Sequence, residues 1–194
     1  MFSKEISREE LNELPLSGYK GKVVIVNRKD QFQNALSEIH EHKIVGFDTE
    51  TRPTFRKGQP RHPVALLQVA IPDKVFLFRL NQLGFGRELG QYFGNSGIKK
   101  VGIGTRDDII DLQKLHAFEP SSIVDLNHVA KELEVKNAGA RKLSAIFLGI
   151  RISKSAQISN WENEQLSEKQ VRYAATDAWI CLEIYRKLAF KGYI

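Results

Sequence analysis

Two apolar runs, Ala65–Ala70 and Val75–Leu80, are joined only by Ile71-Pro72-Asp73-Lys74. This spacing constrains the fold more than any other feature. Strands joined so tightly run antiparallel, because a parallel crossover needs about a dozen residues or more. Elsewhere, short apolar runs alternate with longer amphipathic segments, the pattern that lays strands parallel with helices between them. The further strands expected are Lys22–Val26, Ile44–Thr49, Lys100–Ile103 and Ser122–Val124. The helices expected are Lys29–Glu41, Phe85–Phe93, Thr105–His116, Leu126–Leu133, Arg141–Phe147 and Ser167–Ala189. The expectation is therefore an α/β fold, with a mixed central β-sheet flanked by α-helices. Its 194 residues suit one domain, taken as 1–194. The last helix is the most clearly marked. Ser167 and Gln170 have capping-box spacing, an apolar face recurs from Val171 to Leu188, and Gly192 follows as a stop.

Composition narrows the function classes. No stretch approaches the ~20 apolar residues of a membrane span, and the first residues lack the apolar core of a secretory signal. Cys181 is the only cysteine, so an internal disulfide and a thiolate metal cage are both excluded. A reducing, cytoplasmic setting is expected, with no membrane partner. The net charge of +6 favours polyanions, nucleic acid first, against the plainer reading of a solvated basic surface. Basic residues recur at Arg52, Arg56, Lys57 and Arg61, at Lys99 and Lys100, at Arg141 and Lys142, and at Arg151 and Lys154. The segment Thr51–Pro63 carries three prolines and four of those cations and reads as an exposed loop after the second strand.

The chemistry-bearing residues are carboxylates. Asp48 and Glu50 end the apolar strand Ile44–Thr49, and strand alternation points both the same way. Paired like charges repel, and a hard divalent cation with oxygen ligands relieves that repulsion. An isolated Asp-x-Glu is common, and alone it reads as a solvated strand end. Tyr173 and Asp177 lie one helical turn apart, among the small residues Ala174, Ala175 and Ala178. A surface tyrosine–aspartate pair is the competing reading. Asp107, Asp108 and Asp111 follow Gly102 and Gly104 in an early helical turn, where the dipole favours acids whether or not they have a task. The Gly-x-Gly could cradle phosphate, but without a third spaced glycine it is weak evidence.

In order along the chain, Asp48-x-Glu50, Gly-x-x-x-Asp108 and Tyr173-x-x-x-Asp177 resemble the DEDDy 3′–5′ exonuclease family, of the ribonuclease D and Werner-syndrome helicase exonuclease-domain type. Phe47–Pro53, Leu67–Ala70, Val101–Asp108, Lys154–Trp161 and Tyr173–Ala178 carry the likeness, which spans about residues 21–188. The resemblance implies a ribonuclease H-like fold. It also implies hydrolysis of DNA or RNA from a single-stranded 3′ end, releasing nucleoside 5′-monophosphates with two divalent cations, Mg²⁺ or Mn²⁺. Asp48 would bridge both metals, Glu50 and Asp177 would complete the shell of the first, and Asp108 would hold the second. Asp107 and Asp111 are close rivals to Asp108. Tyr173 would orient the attacking water, since a phenol of ordinary pKa ~10 is a poor base. Thr49, Arg52, Lys154 and Trp161 are the candidate substrate contacts, with core packing the competing reading for Trp161. Three other functions compete: an inactive nucleic-acid-binding module, a ribonuclease H-type endonuclease and a partner-binding domain. The intact acids argue against the first, the helical Tyr-x-x-x-Asp against the second, and nothing specific supports the third.

Overall fold

The tight connection at Pro72 and Asp73 does form a hairpin. β3 (Val64–Ile71) and β4 (Lys74–Arg79) pair antiparallel, with Ile71 opposite Lys74. The computed structural model describes residues 2–55, 58–136 and 138–194, so Arg56 and Lys57 of the basic loop lie outside the described residues. β1 (Lys22–Val26), β2 (Ile44–Thr51), β5 (Lys99–Gly102) and β6 (Ile123–Asp125) complete a six-stranded sheet of order β1-β4-β3-β2-β5-β6. β2 pairs antiparallel with β3, while the β1–β4, β2–β5 and β5–β6 pairs are parallel. The sheet is mixed, as the hairpin demands.

Helices cover both faces. On one face α2 (Lys29–His40), α4 (Arg87–Gly94) and α5 (Thr105–Leu115) pack Leu36, Ile39, Tyr92, Phe93 and Leu112 against Val45, Phe47, Leu67 and Phe78. On the other face α8 (Glu168–Phe190) lays Ala174, Ala175, Ala178 and Leu182 over Leu66, Ala70 and Leu77. Its capping box is formed: the Gln170 N–H donates to Ser167 Oγ at 3.3 Å, and the Ser167 N–H donates to Gln170 Oε1 at 3.0 Å. α6 (Leu126–Glu132) and α7 (Ala140–Leu143) complete this side, where Leu126, Leu143 and Phe147 meet Ile180 and Ile184.

Three local departures from the sequence expectations have physical causes. The expected helix Phe85–Phe93 begins later, at Arg87, and a short α3 (Leu80–Leu83) precedes it. Gly84, with φ +77°, separates the two. The expected helix Arg141–Phe147 becomes α7 followed by a π-helical turn, Ser144–Leu148, that ends at Gly149 with φ +73°. Ahead of the sheet, α1 (Arg8–Glu13) is an additional helix. It is nucleated by a full capping box in which the Glu10 N–H donates to Ser7 Oγ at 3.1 Å and the Ser7 N–H donates to Glu10 Oε2 at 2.8 Å. Among the described residues, no helix is long and apolar enough to cross a membrane.

Candidate active site

Asp48 and Glu50 share the α8 face of β2 with Gly46, two residues earlier. Gly46 determines how closely the helix can sit. A Cβ there would lie 2.1 Å from the Ala178 carbonyl oxygen and 2.8 Å from the Leu182 amide nitrogen. With no side chain at 46 and only methyl groups at 174, 175 and 178, the α8 backbone presses onto β2. Asp177 is thereby delivered beside the strand. One carboxylate oxygen from each of Asp48, Glu50 and Asp177 lies within 4.8 Å of the other two.

Asp108 approaches from the opposite side of the sheet. Gly104 takes the left-handed conformation, φ +74°, and starts α5, which carries Asp108 in its first turn. Thr49, whose side chain alternates to the α5 face, donates its hydroxyl to Asp108 Oδ1. Its rivals are held elsewhere. Asp111 pairs with Arg61 at 3.4 Å and with Lys114 at 2.6 Å, and Asp107 faces Arg61 at 3.6 Å. The glycine turn before α5 is no phosphate cradle. The Gly104 and Thr105 amides already donate to the two oxygens of Asp125, at 2.9 and 3.0 Å.

The four acids destabilise one another's charged forms. Burial and the Asp177 and Asp108 carboxylates hold Asp48 well above the ordinary carboxylate range. Burial, followed by Asp48, Asp177 and Asp108, pushes Glu50 up to about 10. Burial raises Asp177 to about 7, against a lowering interaction with the Tyr173 hydroxyl. Burial raises Asp108 to about 6, and the Thr49 hydroxyl holds it back. Tyr173 itself is driven far above its ordinary value by burial and by the Asp177 and Glu50 charges, so it stays a phenol. Among the described residues, no cation offsets this cluster. An all-oxygen set with excess negative charge fits a hard divalent cation such as Mg²⁺ or Mn²⁺.

The remaining candidates separate. Lys154 lines a cleft of about 670 Å³ with Asp48, Tyr173 and Asp177. Arg52 pairs with Glu162 at 3.2 Å. Thr49 is engaged with Asp108. Trp161 is 0% exposed, its ring 6.0 Å from that of Tyr173, which favours the core-packing reading over a substrate contact. The described part of the Arg52–Arg61 loop also falls short of the cleft wall. That wall is built by Ser7, Arg8 and Leu11 of the N-terminal segment and by Arg141 and Lys142 of α7. The Ser7/Glu10 capping spacing was the sequence signal for this segment. Nothing local tied it to the site, because the contact spans most of the chain.

Comparison with known proteins agrees with this geometry. A family model described as 3′-5′ exonuclease matches residues 23–192. The mouse protein "Bifunctional 3'-5' exonuclease/ATP-dependent helicase WRN" is 36% identical over 156 residues, covering 77% of this chain and 11% of its own length. The chain therefore spans only a small part of that relative. The crystal structure of the Aedes aegypti Nibbler EXO domain superposes with a TM-score of 0.79 at 27% identity, covering 90% of this chain and 94% of that one. Escherichia coli RNase D shares the fold, with a TM-score of 0.74 at 18% identity over 89% of this chain and 47% of its own.

Proposed function

The chain belongs to the 3′-5′ exonuclease family, and from that premise we propose that it is a metal-dependent nuclease removing nucleotides from the 3′ ends of DNA or RNA, with nucleoside 5′-monophosphates as products. The observation that carries the reading is the convergence of Asp48, Glu50 and Asp177 oxygens within 4.8 Å, with no cation among the described residues to offset them. A pure binding module has no use for so unfavourable a cluster. Two divalent cations bound there would supply charge neutralisation at the attacking and leaving oxygens of a phosphodiester.

The chain's own residues account for the rest. Asp48 would be a shared ligand, since the charges of both Asp177 and Asp108 act on it. Thr49 positions Asp108 through its hydroxyl. Tyr173, kept protonated by its acidic neighbours, can donate a hydrogen bond and orient a water, but it cannot take that water's proton. Trp161 fixes the tyrosine ring from behind. Lys154 faces the cleft and can meet a phosphate.

The test is digestion of 5′-labelled single-stranded DNA and RNA with Mg²⁺, Mn²⁺ or EDTA. A ladder of 3′-shortened products that requires metal is the expected result. Internal fragments would point to an endonuclease, and binding without cleavage in either metal would refute the catalytic reading.

A further inference from the structure

The segment ahead of the sheet is fastened across the cleft. The Lys136 amide donates to the Lys4 carbonyl at 2.7 Å, and the Arg151 amide to the Pro15 carbonyl at 3.0 Å. The Ser17 amide returns to the Arg151 carbonyl at 2.9 Å, and the Tyr19 amide donates to Thr176 Oγ1, on the catalytic helix, at 3.0 Å. Leu11 is buried beneath α1, and Asn12 accepts from the Arg141 guanidinium at 3.2 Å. These ties hold α1 against α7 and against the 151–154 stretch. They set Arg8 on the same wall as Arg141, Lys142 and Lys154, while Asp48, Tyr173 and Asp177 lie in the same cleft. Residues 7–11 lie ahead of the residues matched to the family, 23–192.

The wall is electrostatically unsatisfied. Arg8, Lys142 and Lys154 form no ion pair with any described residue, and none of them offsets the charge of the acid cluster. Of the two acids that follow Arg8, Glu10 is turned back onto the Ser7 amide and Glu9 is exposed and forms no ion pair with it. The Arg52–Arg61 loop, which does not line this cleft, behaves differently, because Arg52 and Arg61 already face Glu162, Asp107 and Asp111. A chain of phosphates entering this cleft therefore meets its unneutralised cations on this wall.

We propose that the N-terminal segment is part of the substrate site. Arg8, together with Arg141 and Lys142, takes backbone phosphates of the strand whose terminal phosphodiester reaches Asp48, Glu50 and Asp177. The inference rests on the exonuclease reading for which end of the strand lies at the acids, but not for the binding itself. Contacts of this kind position a strand without reading its bases, so the wall confers affinity rather than sequence preference.

The experiment measures binding of a fluorescent single-stranded 12-mer across a salt series, with Ca²⁺ in place of the catalytic metal, alongside trimming of 2-mers and 12-mers in Mn²⁺. The parent chain is compared with Arg8→Ala, Lys142→Ala, the double variant and Arg8→Lys. Two lost contacts flatten the log–log salt slope by about 1.4, at ~0.7 each on a single strand. Arg8→Lys keeps the parent's slope, and the loss in kcat/KM is larger on the 12-mer than on the 2-mer. An unchanged slope in the double variant overturns the proposal, whatever the parent's activity. If the slope falls but the parent never trims, the wall stands as a nucleic-acid surface and the exonuclease reading fails instead. Arg8 and Lys142 are exposed, so matching melting curves are expected. The Arg8→Lys rescue separates lost charge from any lost packing.

Discussion

The Arg52–Arg61 loop and the N-terminal wall of the cleft both carry cations and use them in opposite ways. Along the loop each described cation has an acid opposite it: Arg52 with Glu162, and Arg61 with Asp107 and Asp111. Along the N-terminal edge Arg8, Lys142 and Lys154 face open space, and the acids on the floor have no cation beside them. Exposed ion pairs are worth about 0–1 kcal/mol and neutralise their own field. Separated, unpaired charges contribute nothing to holding the fold and remain available to a ligand. Where a basic residue lies in the sequence therefore says less about binding than which acids the fold brings to it.

The sharpest way to break this contrast is to remove charge from the floor. Asp48→Asn is expected to lower the trimming rate by on the order of 10³ or more, since metal-centred charge stabilisation is worth several kcal/mol. Activity within about tenfold of the parent, measured on the same 5′-labelled strand, would exclude a metal role for Asp48. Tyr173→Phe leaves the charges in place and removes only a donor. A fall of ~10²–10³ in turnover with nearly unchanged strand affinity is expected, by analogy with other preorganised donors. An equal loss of both would make Tyr173 a substrate contact.

Stability against pH tests the same contrast without substrate. The folded pKa values of Glu50, Asp177 and Asp108, about 10, 7 and 6, lie above the unfolded carboxylate range, so the folded state holds more protons. Stability of the metal-free chain should then be greatest near pH 4. It should fall as pH rises through about 6 and 7 and on toward 10. Mn²⁺ should flatten the decline, and Asp48→Asn should raise the metal-free melting temperature at pH 8. A metal-free melting temperature that does not fall between pH 5 and 8 would show that the acids are not in conflict. The smallest effect is expected on the balanced loop. Arg52→Ala and Arg61→Ala should each change the salt slope of strand binding by less than about 0.3, under half of one lost contact. A change near 0.7 would place that loop in the binding path after all.

Much of this was legible in the chain. The hairpin at Pro72 fixed a mixed sheet because loop length forbids the alternative, and the capping box at Ser167 marked α8 because its chemistry is local. Asp48, Glu50, Tyr173 and Asp177 could be paired off by strand and helix periodicity alone. The convergence of those two pairs could not, since it depends on how closely α8 approaches β2. Spacing from Gly102 and Gly104 singled out Asp108, and where Thr49 and Arg61 end up adds support for it over Asp107 and Asp111 that the sequence could not supply. Between packing and substrate contact the sequence left Trp161 open, because an indole in a polar loop gives no sign of which way it turns. Arg141, Lys142 and Lys154 stood out as basic in the sequence, but their grouping with Arg8 did not, because Arg8 and Arg141 lie far apart along the chain and meet only through folded contacts such as Asn12 to Arg141.

Gly46 acts as a shim of zero thickness. It takes no part in any chemistry, yet the gap between the strand that carries Asp48 and the helix that carries Asp177 is whatever position 46 allows. Even the first methyl group inserted there would meet backbone atoms of the helix and wedge the two elements apart, widening the spacing between carboxylates whose own side chains are untouched. One position therefore ties the packing of the core to the spacing of the acids, and neither can be changed without the other.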